Sequence, residues 1–298
     1  MAWTARKTNL FCLLVCCHLS LTTLCWAQSS YVDIYIRDDV YLNYKALLSG
    51  RSPLEVDNFG GQFVRRDVVD MVLLHQALIL GGFDKPFKYR PGNVNFRDSN
   101  LLEQGKQLLS FDTFWLEEAQ QKADKLYISE PVIRKGEFFA GLYFAKENKR
   151  VANIQSLEDL STLSAVSSSR WLVDWHTLSR LPLKRLVDEQ TWSAQAQIVN
   201  KQWVDFMLIH LMPVMGNDFK LANINLVSHP KWVVLLDSSR HFVVSKLHPQ
   251  GERAFAALQK GLEKLRRQGK IEQAYRQAGL FPDMRVYQQL NAAAGGDK

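Results

Sequence analysis

Cysteine is almost missing from this sequence, and what there is lies near the N-terminus. All four cysteines fall in the first 27 residues: Cys12, Cys16, Cys17 and Cys25. Residues 1–27 are predicted to be a secretory signal peptide. Arg6 and Lys7 form its basic start, an apolar run follows, and Ala27 is a small residue suited to cleavage. The mature chain then has no cysteine, which excludes disulfides, thiolate metal sites and a cysteine nucleophile.

Other missing features narrow the compartment and the partners. The N-terminal apolar run is too short for a confident membrane span, and no small residue precedes Cys16 or Cys25, so we expect no lipid anchor. Without Arg6 and Lys7, the 37 basic residues fall to 35 against 30 acidic ones, and no long basic tract offers nucleic acid a surface. We expect a soluble, monomeric periplasmic protein that binds no nucleic acid.

Catalytic motifs are missing as well. The histidines beyond residue 27 show no HExxH-like spacing, and neither a metal-ligand cluster nor a carboxylate pair stands out. Three consecutive serines, Ser167 to Ser169, would need a base and an oxyanion donor to act as a nucleophile, and no base is identifiable. We therefore predict no enzymatic activity, no catalytic residue, no bound metal and no cofactor.

The apolar periodicity predicts an α/β fold built from two βαβαβ units. In the first unit, 31–36 alternates as a strand, 65–83 has helical spacing that ends at Gly81 and Gly82, and 87–91 is a second strand. The second unit alternates strands and helices, with strands at 137–145, 163–167, 183–188 and 204–212 and helices at 156–160, 170–181 and 194–202. An amphipathic helical stretch broken at Gly269 closes the chain.

Several phrases in this order carry a resemblance to a known family. They are KADKLYISEPVIRKGEFFAGLYFAKENKRVANIQSLEDL, KQWVDFMLIH and HFVVSKLHPQGERAFAALQKGLEKLRRQGKIEQAYRQAGL. Together they resemble the type II periplasmic solute-binding proteins of the polar amino-acid-binding kind (extracellular solute-binding family 3). The resemblance implies a two-lobed periplasmic-binding-protein (Venus-flytrap) fold in which each lobe is a mixed sheet flanked by helices. It predicts residues 28–134 plus 238–298 as lobe 1 and 135–237 as lobe 2.

The resemblance also implies which first-lobe loops line the ligand cleft. After the first strand, Asp38 stands where the family often has an acid for a solute's ammonium group, with Arg37 beside it. Lys122 stands where the family usually has an arginine that forks onto a carboxylate, and lysine cannot reproduce that fork. Polar groups at Asp112 and Thr113, with a flat surface at Trp115, are candidates to compensate. The alternative for Trp115 is a core aromatic. For Asp38 it is a solvent-facing carboxylate.

In the second lobe, the resemblance points to one serine-rich loop and one histidine. Ser168, Ser169 and Arg170 stand where the family often has GST between a strand and a helix, so they are candidates to hold an anion at the helix amides. Ser169 is also predicted as the helix N-cap. His210 replaces a common aspartate, and its alternative is an ordinary hydrogen-bonded histidine at a strand end. Arg240 and His241 are cleft or hinge candidates, with surface ion pairing as the default reading.

The resemblance implies a protein that closes on a small polar solute, with anionic or aromatic solutes favoured because the usual clamp for an α-amino acid is absent. Its partner would be the inner-membrane permease of an ABC-type importer. Two alternatives keep the same fold: a sensor that reports to a membrane signalling partner, and a scaffold whose cleft no longer binds anything. Nothing within the chain separates import from signalling.

Overall fold

The computed structural model describes residues 31–61, 63–92, 97–211, 218–221 and 223–292. Its first strand, β1 (Val32–Arg37), pairs in parallel with β2 (Phe87–Gly92). Alternate side chains of β1 are buried, as expected for a strand with one face on a core. Helix α1 (Asp38–Leu48) follows β1 without a loop, so the polar cluster after the strand is a strand–helix junction.

A tightly packed helix pair forms the body of the first lobe. α2 (Arg66–Gly81) ends at Gly82, whose φ of 96° only glycine adopts readily, as the sequence predicted. α2 packs against α8 (Gly251–Arg267), and a Cβ on Gly261 would collide with the Ala77 carbonyl, so the close approach requires glycine. Gly269 (φ 69°) then separates α8 from α9 (Lys270–Gln277), which confirms the predicted break.

Two short antiparallel strand pairs join segments that are far apart in the sequence. β3 (Phe114–Trp115) pairs antiparallel with β11 (Arg240–His241), and β4 (Leu126–Ile128) pairs antiparallel with β12 (Val243–Ser245). The helices of this region are short: α3 (Arg97–Glu103) and α4 (Leu116–Gln120). Residues 114–128 and residues 240–245 are thus held together by backbone pairing.

The other lobe is built on one mixed sheet of seven strands: β5 (Phe139–Ala145), β6 (Ser164–Ser167), β7 (Arg185–Asp188), β8 (Phe206–His210), β9 (Asp218–Leu221), β10 (Ile224–Leu235) and β13 (Gln288–Gln289). The strand order is β13-β10-β5-β8-β6-β7, with β9 on β10. β6, β7 and β8 run parallel, whereas β5 is antiparallel to both β8 and β10. Helices α5 (Lys149–Ala152), α6 (Leu172–Ser179) and α7 (Trp192–Asn200) connect these strands.

The C-terminal segment returns from α9 to the seven-stranded sheet. β13 pairs in parallel with β10 through Trp232 and Val233, and Leu290 beyond it is buried. The Asn291 amide then continues the pairing, because its Oδ1 accepts from the Leu235 amide at 2.8 Å and its Nδ2 donates to the Leu235 carbonyl at 3.0 Å. We call this segment, residues 281–291, the C-terminal strap.

Among the described residues, none of the helices has the length and apolarity that crossing a bilayer requires. Two 3-10 helices complete the elements, Pro53–Glu55 and Glu158–Thr162, and the second overlaps the short helix predicted at 156–160. The predicted signal peptide lies outside the described residues. The residue bounds of the two lobes stay a prediction.

Candidate functional site

A buried ion-paired cluster forms where α2 begins. Arg66 Nη1 lies 2.5 Å from Asp70 Oδ2 and 3.2 Å from Thr113 Oγ1, and its Nη2 lies 3.5 Å from Asp112 Oδ2. Asp70 is fully buried and also accepts from the Thr113 amide and hydroxyl and from the Tyr275 hydroxyl. Burial would lower the pKa of Arg66, but the charges of Asp70 and Asp112 raise it, so the arginine stays charged.

A second arginine enters the same cluster from β11. Arg240 is buried, its Nε donates to Thr113 Oγ1 at 2.8 Å, and its Nη2 donates to the Thr113 carbonyl. The guanidinium lies 4.4 Å from the centre of the Trp115 ring, and Phe138 meets that ring edge-on. Burial, together with the charge of Arg66, lowers the pKa of Arg240 to about 10. We call Arg66, Asp70, Asp112, Thr113 and Arg240 the arginine–aspartate cluster.

A second layer of ion pairs covers this cluster on the side of β1. Arg37 lies 2.7 Å from Asp67 and 3.1 Å from Asp39. Arg65 pairs with the same two carboxylates, at 2.7 and 2.8 Å. Although burial would raise the pKa of Asp67, these arginines hold it well below its usual range. Every member of this layer thus has partners of opposite charge.

Two ionisable side chains from the seven-stranded sheet and its helices interact with the charges of the arginine–aspartate cluster. Asp174 in α6 and His210 at the end of β8 both feel the charges of Arg66 and Arg240. Burial raises the pKa of Asp174 to about 6, even though Arg240 lowers it. Burial lowers the pKa of His210 to about 4, and the charge of Arg66 lowers it further. His210 is therefore neutral at pH 7.

Three of these groups are incompletely paired. Among the described residues, no basic side chain lies within 4.0 Å of the Asp174 carboxylate and no carboxylate lies within 4.0 Å of the Arg240 guanidinium. His210 Nε2 is also buried without a hydrogen-bond partner in the part of the chain that the structure describes. An uncompensated buried charge is costly, so this arrangement suits a site that meets a charged group.

Comparison with known proteins rests on structure alone, because no family model and no curated protein matches the chain. The probable amino-acid ABC transporter extracellular-binding protein ytmK from Bacillus subtilis superposes with a TM-score of 0.51 at 15% identity, over 70% of this chain and 86% of that one. The periplasmic VFT2 domain of Bordetella pertussis BvgS also gives 0.51, at 11% identity, over 83% and 93%. An ancestral arginine-binding protein bound to arginine gives 0.50, at 15% identity, over 84% and 98%.

The chain has the two-lobed fold of the periplasmic solute-binding proteins. This confirms the predicted fold class and the structural side of the resemblance. In that fold, loops at the carboxyl ends of the strands face the crevice between the lobes. Asp174 and His210 interact electrostatically with Arg66 and Arg240 of the arginine–aspartate cluster, and α4, which follows β3, packs against α6. We call the arginine–aspartate cluster together with Asp174 and His210 the cleft site.

The predicted first-lobe residues divide into two sets. Asp112 and Thr113 belong to the cleft site, the Trp115 ring lies against its Arg240, and Arg37 belongs to the covering layer. Asp38 is exposed at the start of α1, and its neighbour Asp39 makes the ion pairs instead. Lys122 lies apart from the cluster, because its Nζ pairs with Glu103 at 2.8 Å and contacts Ser99. Whether any of these residues binds a solute stays a prediction.

The serine-rich loop of the second lobe is largely occupied by the chain itself. The Ser169 amide and hydroxyl both donate to the Asp188 carboxylate, at 3.0 and 2.8 Å. Ser168 is buried and its hydroxyl lies 3.0 Å from Gln190 Oε1. The predicted N-cap at Ser169 is wrong: α6 begins at Leu172, directly after the Ser168–Trp171 turn, and its cap residue Trp171 makes no side-chain hydrogen bond. Arg170 is exposed.

Sequence reasoning missed Arg66, Asp70, Asp174 and Tyr275, and it took surface pairing as the default for Arg240. Asp70 was detectable, because it interrupts the apolar run VVDMVLL and an acid there must find a partner. The four-residue spacing from Arg66 to Asp70 is the spacing of a helical ion pair. Arg240 could not be placed this way, since its partner Thr113 is 127 residues away.

Proposed function

We propose that the protein is a periplasmic solute-binding protein whose cleft site binds a small solute that carries both an anionic and a cationic group. It would present the closed form to the permease of an ABC-type importer. The two-lobed fold supports the general role. The chemistry of the cleft site supports the choice of solute.

One observation carries the choice of solute: among the described residues, the buried Arg240 has no carboxylate within 4.0 Å and the half-buried Asp174 has no cation within 4.0 Å. Arg240 suits a carboxylate, which a planar guanidinium binds through two parallel hydrogen bonds. Asp174 suits an ammonium group, which would also keep its carboxylate ionised. A zwitterion satisfies both at once.

The charge balance around the cleft site argues against a strongly anionic solute. Arginines and aspartates of the site and its covering layer nearly cancel: Arg37, Arg65, Arg66 and Arg240 against Asp39, Asp67, Asp70, Asp112 and Asp174. A solute with excess negative charge would meet no net positive field there. The sequence-based expectation favoured an anionic or aromatic solute. The charges of the cleft site instead favour a polar solute with no net charge.

A ligand panel followed by thermal unfolding tests the proposal. The panel holds amino acids, polyamines, aromatic acids, nucleosides and muropeptides. A true ligand at about a hundredfold excess over Kd stabilises the folded state by about 2.7 kcal/mol, which raises Tm by several degrees. We expect zwitterionic members to give such a shift and purely anionic members to give none. No shift by any member, with no small molecule in the purified protein, would favour a scaffold.

Two conservative variants locate the response. Arg240→Lys and Asp174→Asn are expected to remove most of the shift, because each deletes one half of the charge pairing. Arg180→Lys and Asp237→Asn are matched controls at exposed positions and should respond like the parent protein. Equal shifts in all five proteins would show that the solute binds elsewhere.

Signalling is the alternative function of the same cleft. The similarity in fold to the periplasmic VFT2 domain of BvgS supports this alternative. Uptake of the radiolabelled ligand by cells with and without the gene separates the two. Import predicts that uptake falls when the gene is deleted. A sensor predicts unchanged uptake and a changed transcriptional response to the ligand.

A further inference from the structure

A basic pocket lies at the end of the seven-stranded sheet opposite the cleft site. It has a volume of about 390 Å³ and is lined by three cations, Trp203, one carboxylate and hydroxyl and amide side chains: Arg150, Lys184, Arg185, Trp203, Asp205, Thr162, Ser164 and Gln202. β6 and β7 begin here, at Ser164 and Arg185, and both run toward the cleft. The length of the strands therefore separates this pocket, which we call the Trp203 pocket, from the cleft site.

The turn that carries Trp203 holds its side chain away from the core. The Trp203 amide donates to the Ile198 carbonyl and the Gln202 amide donates to the Val199 carbonyl, which is the Schellman pattern at the end of α7. That pattern puts Gln202 at φ 58°, a conformation that glycine normally supplies. Trp203 takes the position that usually packs against the helix, yet its side chain is 66% exposed.

The charges around Trp203 are mostly uncompensated. Arg150 pairs with Asp205 at 3.2 Å. Among the described residues, Lys184, Arg185 and Lys201 have no carboxylate within 4.0 Å, and all three are exposed. The Lys201 ammonium lies 4.9 Å from the centre of the Trp203 ring, and Arg185 contacts the Trp203 carbonyl at 3.5 Å. A projecting indole is thus surrounded by net positive charge.

We propose that the Trp203 pocket is a membrane-contact surface that binds the headgroups of anionic phospholipids. Tryptophan flanked by lysine and arginine is the combination that settles at a bilayer interface, with the indole at headgroup depth and the cations on the phosphates. A site for a soluble anion would enclose its aromatic wall, whereas Trp203 projects into solvent. Contact through this end leaves the cleft site free, so it is independent of the solute.

Co-sedimentation with vesicles tests this surface on the exported protein. Vesicles of phosphatidylcholine alone are compared with vesicles that contain phosphatidylglycerol, at low and high salt. The parent protein should bind the anionic vesicles, bind neutral ones far more weakly, and lose affinity with salt. Trp203→Ala should weaken binding roughly tenfold. Lys184→Ala with Arg185→Ala should weaken it roughly twenty-five-fold, about fivefold for each cation.

Matched controls remove similar groups elsewhere. Leu247→Ala deletes an apolar side chain that is 58% exposed, and Lys106→Ala with Lys260→Ala deletes two exposed cations. Both controls should bind like the parent, and all variants should keep the parent Tm. Binding that is equal in the pocket variants and the parent, or no binding of the parent to anionic vesicles, overturns the proposal. Calorimetric binding of inorganic phosphate that the double variant abolishes, without vesicle binding, would instead assign a soluble anion.

Discussion

The arginine–aspartate cluster and the serine loop (Ser167 to Trp171, at the end of β6) both contain arginine, but the arginines differ in burial and in their partners. In the cluster, the partly buried Arg66 pairs with Asp70 and the buried Arg240 donates to Thr113. In the serine loop, Arg170 is exposed and a carboxylate of the chain already occupies the serine donors. The motif of serines and Arg170 therefore did not predict where the more enclosed arginines lie, because Arg66 and Arg240 come from distant segments of the chain.

Matched aspartate substitutions give the largest expected contrast between the two regions. Asp70→Asn should lower the free energy of unfolding by about 3 kcal/mol, because it takes the fully buried close anion away from the largely enclosed Arg66. Asp188→Asn removes an exposed carboxylate from the serine loop and should leave the unfolding midpoint nearly unchanged. Urea unfolding measures both. Similar midpoints for the two variants would mean that the cluster contributes no more than the loop.

The pH dependence of solute binding should come from the cluster side as well. Burial raises the pKa of Asp174 to about 6, so its carboxylate protonates as the pH falls through that value. A cationic group then loses its partner, and Kd should rise about tenfold for each pH unit below about 6. Isothermal titration at several pH values measures this, and Asp174→Asn should give a flat profile between about pH 5 and 7. A sloping profile in that variant would assign the proton to another group.

The same pKa has a consequence for stability, with the opposite sign. Because the folded pKa of Asp174 lies above its ordinary value, the folded state binds the proton more readily than the unfolded chain. The ionised aspartate therefore lowers stability above about pH 6, and the loss is relieved as the pH falls. Solute binding weakens over the same interval in which this contribution to folding improves.

The smallest expected effect belongs to the serine loop. Arg170→Ala should change the affinity for the zwitterionic solute by less than about twofold, since the side chain is exposed and Asp188 fills the neighbouring donors. Titration of the parent and the variant with the same solute measures this. A loss of tenfold or more would place Arg170 in the binding site and restore the interpretation drawn from the sequence.

Most of the fold could be predicted because its signals are local. Apolar spacing located α2 and α8, glycines marked their ends, and alternation located β1. Helix α1 was missed, although its buried residues Val40, Tyr44 and Leu47 follow helical spacing, because the polar start of DDVYLNYKALL looked like a loop. Within β10, only the stretch WVVLLD (232–237) is predicted as a strand by the sequence, since Pro230 and a bulge between Ser228 and Val233 interrupt the pattern.

The cleft site was less predictable because its contacts are not local. Asp70 and Thr113 are 43 residues apart, and Asp70 and Tyr275 are 205 apart. No spacing rule links such pairs, and only the packing of α2, α9 and β11 brings them together. Asp112 and Thr113, which the sequence analysis named together, lie next to each other just before β3, and their role in solute binding stays a prediction.

The C-terminal strap acts as a mechanical tether. It starts just beyond α9, where Tyr275 holds Asp70, and it ends where Asn291 grips the backbone of Leu235 on the other lobe. A clamshell joined only by its crossing strands can swing freely, but this third connection has to stretch or detach when the lobes separate. Residues 278–287 join α9 to β13. Their length therefore limits how far the two lobes can separate while β13 stays paired with β10.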